Sequence, residues 1–144
     1  MATEPLLATE QEHAELMEEV KEGMKRKILD DLANSLNKIL APKPYGMTPD
    51  QLALQRERIN ADADVAKLEA RRRYGGERSV QYREAVRRID HRRTTLLRYH
   101  ADMLRLVAAC NEARQGIYEA LKRGDTAGAN RIAHAFIERP AIAP

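Results

Sequence analysis

Apolar positions recur along this chain at helical spacing. Met17, Val20, Met24, Ile28, Leu32, Leu36 and Ile39 follow one another at steps of three or four, which keeps their side chains on one helical face. Ahead of them Thr9-Glu10-Gln11-Glu12 has the form of a capping box, in which the threonine oxygen takes one free amide of the first turn and the glutamate reaches back to another. A first helix is therefore expected over residues 10–40, stopped by Ala41-Pro42-Lys43-Pro44-Tyr45-Gly46.

Thr48-Pro49-Asp50-Gln51 repeats the start signal, with threonine as cap and proline at the first helical position, and predicts a second helix over 48–73. Its apolar residues fall on two sides: Leu52, Ile59, Ala63, Ala66 and Ala70 on one, Leu54, Ala61, Val65 and Leu68 on another. Small residues on two sides suit close contact with two neighbours. Gly75-Gly76 then interrupts, because paired glycines raise the cost of continuing a helix and admit positive φ.

With Ser79 as its cap, a third helix is expected over 79–123. Tyr82, Ile89, Leu96, Met103, Cys110 and Ile117 fall every seven residues, with Val86, Arg93, His100, Val107, Arg114 and Leu121 between them. That alternation of four and three is a coiled-coil seam. Gly124-Asp125 ends this helix and opens a short fourth one over 125–138, carrying Ala129, Ile132, Ala133, Phe136 and Ile137; the last residues, AIAP, are expected to be loose. The elements predict an all-α fold in one helical unit over residues 1–144. Its expected form is an elongated antiparallel helical hairpin or bundle with a long coiled-coil helix and a short C-terminal helix.

The seam breaks its own rule at Arg93, His100 and Arg114. In a parallel homodimer each would face its own copy, and arginine against arginine in a partly desolvated seam is unfavourable. Antiparallel helices avoid this, so the expectation is a homo-oligomer with Ile89, Leu96, Met103, Val107 and Ile117 forming the oligomer seam. The acidic residues Glu15, Glu18, Glu19 and Glu22 of the first helix are suited to lie beside arginines, within the chain or from a second subunit.

Composition narrows the class. One Phe, no Trp and one cysteine, Cys110, leave a core of Leu, Ile, Val and Met and no intrachain disulfide. The longest apolar run, Leu106 to Cys110, is far short of the roughly 20 residues of a membrane span, and the first residues lack a basic region ahead of an apolar stretch. A cytoplasmic protein without membrane association is expected.

Charge changes the picture more. The net charge is only +3, yet residues 1–40 hold nine acids against five Lys and Arg, and residues 71–105 hold eleven Arg against four acids. Residues 71–93, RRRYGGERSVQYREAVRRIDHRR, concentrate Arg71, Arg72, Arg73, Arg78, Arg83, Arg87, Arg88, Arg92 and Arg93 around the double glycine. Guanidinium forks match phosphate oxygens two at a time, and each phosphate contact releases condensed counterions. Tyr74 and Tyr82 flank the turn and are candidates for base stacking.

Local pairing, Glu84 with Arg88 and Asp90 with Arg93, answers only part of this charge. Arg83 with Arg87 and Arg88 with Arg92 are like-charge neighbours four residues apart. The arginines are thus expected to serve a nucleic acid, DNA ahead of RNA, or an acidic protein surface, with plain solvation of a long helix as the remaining reading.

Catalytic patterns are missing. Glu10-x-x-His13 has the spacing used in di-iron bundles, but such sites need a second copy and two more inward carboxylates, which leaves His13 as a surface histidine. His100 reads as a hydrogen-bonded interior residue, and Cys110 has no activating histidine near it in sequence. No phosphate-binding GxxxxGK[ST] and no HExxH occurs. No catalytic residue, cofactor or metal is expected. The chain reads as a small non-enzymatic oligomeric nucleic-acid-binding protein, in the style of phage or plasmid packaging, partition or regulatory factors. The alternative is a helical adaptor, chaperone or structural subunit that docks an acidic protein.

Overall fold

A computed structural model describes residues 10–34 and 41–142. They form four helices and, among the described residues, no strand: α1 (Glu10–Asn34), α2 (Pro49–Tyr74), α3 (Val80–Lys122) and α4 (Thr126–Glu138). Thr9 of the expected capping box, and residues 35–40 of the expected first helix, lie outside the described residues. The long helix and the short C-terminal one are both present; at 43 residues, α3 is about 65 Å long at 1.5 Å per residue.

The helix ends follow local chemistry. Gly75 takes φ +93, a conformation that glycine adopts without a Cβ penalty, and its amide donates to Arg71 O at 2.9 Å to close the last turn of α2. Ser79 then caps α3, its hydroxyl accepting from the Tyr82 amide at 3.2 Å. Gly124, φ +76, ends α3, and Asp125 caps α4 by accepting from the Gly128 amide at 2.8 Å.

The chain divides into two compact units. One comprises residues 1–48 and 102–144, the other residues 49–101, so α3 contributes to both.

In the first unit, α1 buries His13, Met17, Lys21, Met24 and Ile28, one face at steps of three and four. Leu106, Val107, Cys110 and Ile117 of α3 are buried, as are Ala129, Ala133 and Phe136 of α4. Contacts along α1 fix its direction: His13 meets Asp102, and Asp31 meets Arg114. The two partners on α3 advance with α1, so these helices run in the same sense, against the expectation that neighbouring helices are antiparallel. The following segment supplies the reason, because it travels back along α3: Lys43 O accepts from Arg114, the Tyr45 amide donates to Asn111 Oδ1 at 2.7 Å, and Gly46 lies beside Val107. Ala141, the first of the residues expected to be loose, is held: it is buried and its carbonyl accepts from Arg105 Nη2 at 3.1 Å, while residues 143–144 lie outside the described residues.

In the second unit the buried residues are small. Ala63 and Ala70 of α2 and Ala85 of α3 are buried with Leu52 and His100. Short side chains leave little apolar area to bury. Leu52 O accepts from His100 Nε2 at 2.7 Å, and Lys67 Nζ lies 2.7 Å from Asp90 Oδ1.

Candidate nucleic-acid interface

The basic residues sit where α2 ends and α3 begins. Arg71, Arg72 and Arg73 occupy the last turn of α2, where cations complement the helix dipole, and Arg78 lies in the turn. Arg83, Arg87, Arg88, Arg92 and Arg93 follow on α3. All are exposed except Arg93, which is partly buried.

Glu77 is the acid at the centre of the turn. Its carboxylate lies 3.6 Å from Arg71 Nη1, and its carbonyl accepts from Arg83 Nη1 at 2.8 Å. Two arginines therefore brace the turn as well as charging it. The expected Asp90–Arg93 pair forms at 3.6 Å, with Lys67 on the same carboxylate oxygen. The Lys67 ammonium, by hydrogen bond, holds the Asp90 carboxyl below its ordinary range, with Arg93 adding to the effect. Arg93 Nε is buried without a hydrogen-bond partner.

The expected Glu84–Arg88 pair is not made, and Arg72, Arg78, Arg87 and Arg88 have no ion-pair partner among the described residues. Along α3 the directions of Arg87 and Arg88 differ by 100° of helix rotation, so they present charge on more than one side. Tyr74 is exposed with the Arg73 guanidinium 5.9 Å from its ring centroid, while Tyr82 is half-buried. The tip thus offers several unanswered guanidinium groups and one open aromatic face.

The residues assigned to an oligomer seam are partly used within the chain. Val107 and Ile117 are buried, and Ile89, Leu96 and Met103 are half-buried. The polar positions of that seam also find partners: His100 donates to Leu52 O, Arg93 lies near Asp90, and Arg114 Nε donates to Asp31 Oδ2 at 2.6 Å.

Sequence reasoning missed two buried polar positions on α1. His13 is not a surface histidine: it is 5% exposed, with Nε2 2.7 Å from Asp102 Oδ2. Lys21 is equally buried, donates to the carbonyls of Ile137 and Arg139 at the end of α4, and holds its ammonium 4.9 Å from the centroid of the Phe136 ring. Burial lowers its pKa from the usual lysine value. The signal for both lay in their register, since 13, 17, 21, 24 and 28 continue one face.

Cys110 is buried in apolar surroundings that push its thiol up to about 11, which leaves almost no thiolate near neutrality. Among the described residues no group of His, Cys, Asp and Glu is placed to hold a metal ion, and no helix is long and apolar enough to cross a membrane. No protein-family model matches the chain, and no match emerges among curated proteins or among solved structures.

Proposed function

We propose that the chain is a small non-enzymatic nucleic-acid-binding protein that holds phosphates at the tip formed by the end of α2 and the start of α3. The observation that carries this reading is the set of exposed arginines without partners, Arg72, Arg78, Arg87 and Arg88, beside the exposed ring of Tyr74. An exposed like-charged cluster is self-repelling, and a polyanion relieves the repulsion while releasing its own counterions. Arg71, Arg73, Arg83, Arg92 and Arg93 extend the basic surface. Contacts on this model are mainly to backbone, so sequence preference is weak. The reading includes an antiparallel pairing of α2 with the first half of α3 and a homo-oligomeric protein acting on DNA in preference to RNA.

The test is binding of the purified protein to labelled duplex and single-stranded DNA and RNA across a salt series, beside a variant with Arg83, Arg87, Arg88 and Arg92 changed to Gln. Affinity should fall steeply with salt, and the variant should lose binding by more than about a hundredfold. Its thermal unfolding should stay close to that of the parent apart from the lost Arg83–Glu77 hydrogen bond, because exposed substitutions of this kind typically cost about 0.5 kcal/mol or less each. A folded parent protein that ignores every nucleic acid at physiological salt overturns the proposal and leaves the arginine surface to an acidic protein.

A further inference from the structure

α2 has a second apolar face that the described residues leave open. At 100° per residue Leu54, Ala61, Val65 and Leu68 fall on the side of the helix opposite the buried Leu52, Ala63 and Ala70. Leu54, Val65 and Leu68 are 63%, 53% and 65% exposed, and Ala61 is exposed with them. Such a row is unusual on a helix whose other face is already packed. The steps of seven, four and three are those of a two-helix seam, with Arg58 and Arg72 at the intervening positions.

We infer that this face of α2 binds the same face of a second copy of the chain, with the two α2 helices antiparallel. Charge decides both the occupant and the direction. In a parallel pair, Arg58 and Arg72 would each meet their own copy on the seam. The flanks would set Glu57 against Asp62 and Asp64 against Glu69, acid against acid at every step. Antiparallel pairing about a two-fold axis level with residue 63 gives a different register. Ala61 of each copy falls level with Val65 of the other, and Leu54 packs against the aliphatic stem of Arg72. Arg58 falls level with Leu68 and beside Glu69 of the second copy.

Neither Arg58 nor Glu69 has an ion-pair partner among the described residues of its own chain, so both are available for this contact. Because the interface is isologous, each complementary contact occurs twice. Asp62 and Asp64 approach their own copies near the axis, but they lie on the flanks, about 80° of helix rotation from the seam, where water screens them. This opposition and the short apolar row make the association weak, with a dissociation constant on the order of 10 μM. The face shares Arg72 with the basic tip but holds none of Arg83, Arg87, Arg88 and Arg92, the arginines changed in the binding test, so loss of nucleic-acid binding and loss of the dimer are read on different variants.

Sedimentation velocity on the full chain, without nucleic acid and over roughly 1–200 μM, tests it with five proteins: the parent, Leu54→Glu with Leu68→Glu, Arg58→Glu, Glu69→Arg, and the last two combined. The parent should pass from monomer to dimer over this range. The double leucine variant should stay monomeric with unchanged helicity by circular dichroism. Each single charge reversal should weaken the dimer about tenfold, and the combined reversal should restore it, since the pair is only exchanged. A parent that is monomeric throughout overturns the inference, as does a dimer that survives both leucine changes. Failure of the combined reversal to restore association overturns the antiparallel register.

Discussion

The two units treat positive charge in opposite ways. In the unit built from residues 1–48 and 102–144, the buried cations are answered inside the chain: Arg114 by Asp31 and the Lys43 carbonyl, and Lys21 by the carbonyls that end α4. In the unit of residues 49–101, Arg72, Arg78, Arg87 and Arg88 remain exposed, with no ion-pair partner among the described residues. The first also buries Met17, Met24, Ile28, Leu106 and Ile117, whereas the second relies on alanines. Net charge alone therefore says little about what a basic residue is for. Burial and partners separate the arginine that organises a core from the arginine that the described residues leave unanswered.

If that contrast is right, removing a cation from the first unit should damage folding most at Arg114. Its side chain is 4% exposed and carries Asp31 on one nitrogen and a backbone carbonyl on another. Arg114→Met fills similar space but strands a largely buried carboxylate and an acceptor. The expected loss is about 3 kcal/mol, read from urea unfolding monitored by circular dichroism. A loss below about 1 kcal/mol would mean that water replaces the guanidinium, and the contrast between units would weaken.

Lys21 should come next. Lys21→Met keeps the hydrocarbon stem against Phe136 and removes the donor from the last carbonyls of α4. The loss should be about 1–2 kcal/mol, below that at Arg114 because no counter-charge is stranded. Hydrogen exchange locates it: amides of residues 126–138 should exchange faster, while those of 80–95 keep their rates. Equal acceleration in both segments would show that α4 is not the element Lys21 holds.

Much of this architecture was legible in the chain. The glycine and cap signals at Gly75, Ser79, Gly124 and Asp125 mark helix ends because they act through the backbone within a few residues. The seam residues Val107 and Ile117 were legible as apolar positions, and the basic tip as a charge run. What could not be read was who answers whom. His13, Lys21 and Arg114 look like surface residues in composition, and their partners Asp102, Arg139 and Asp31 lie 83 to 118 residues away. The same-sense course of α1 and α3 was hidden for a similar reason. It depends on the segment through Lys43 and Tyr45 lying back along α3, a tertiary contact that carries no local period.

The smallest effect sharpens the comparison from the other side, because the second unit has a cross-helix ion pair, Lys67–Asp90, whose side chains are half-buried. The folded protein holds the Asp90 carboxyl below its ordinary value of 3.8, chiefly through the hydrogen bond from Lys67. The unfolded chain therefore binds this proton more readily than the folded one. The pair's contribution is fully present above the ordinary carboxylate value and is lost as pH falls through the lowered one. Parent and Asp90→Asn should differ in unfolding midpoint near pH 6, and the difference should shrink as pH falls below the ordinary carboxylate value. Lys67→Met should remove most of that pH dependence while Asp90 stays in place. A difference between parent and Asp90→Asn that does not change with pH would mean the carboxylate contributes through neutral hydrogen bonding alone. The Lys67–Asp90 charge pair would then do almost nothing for the unit's own stability.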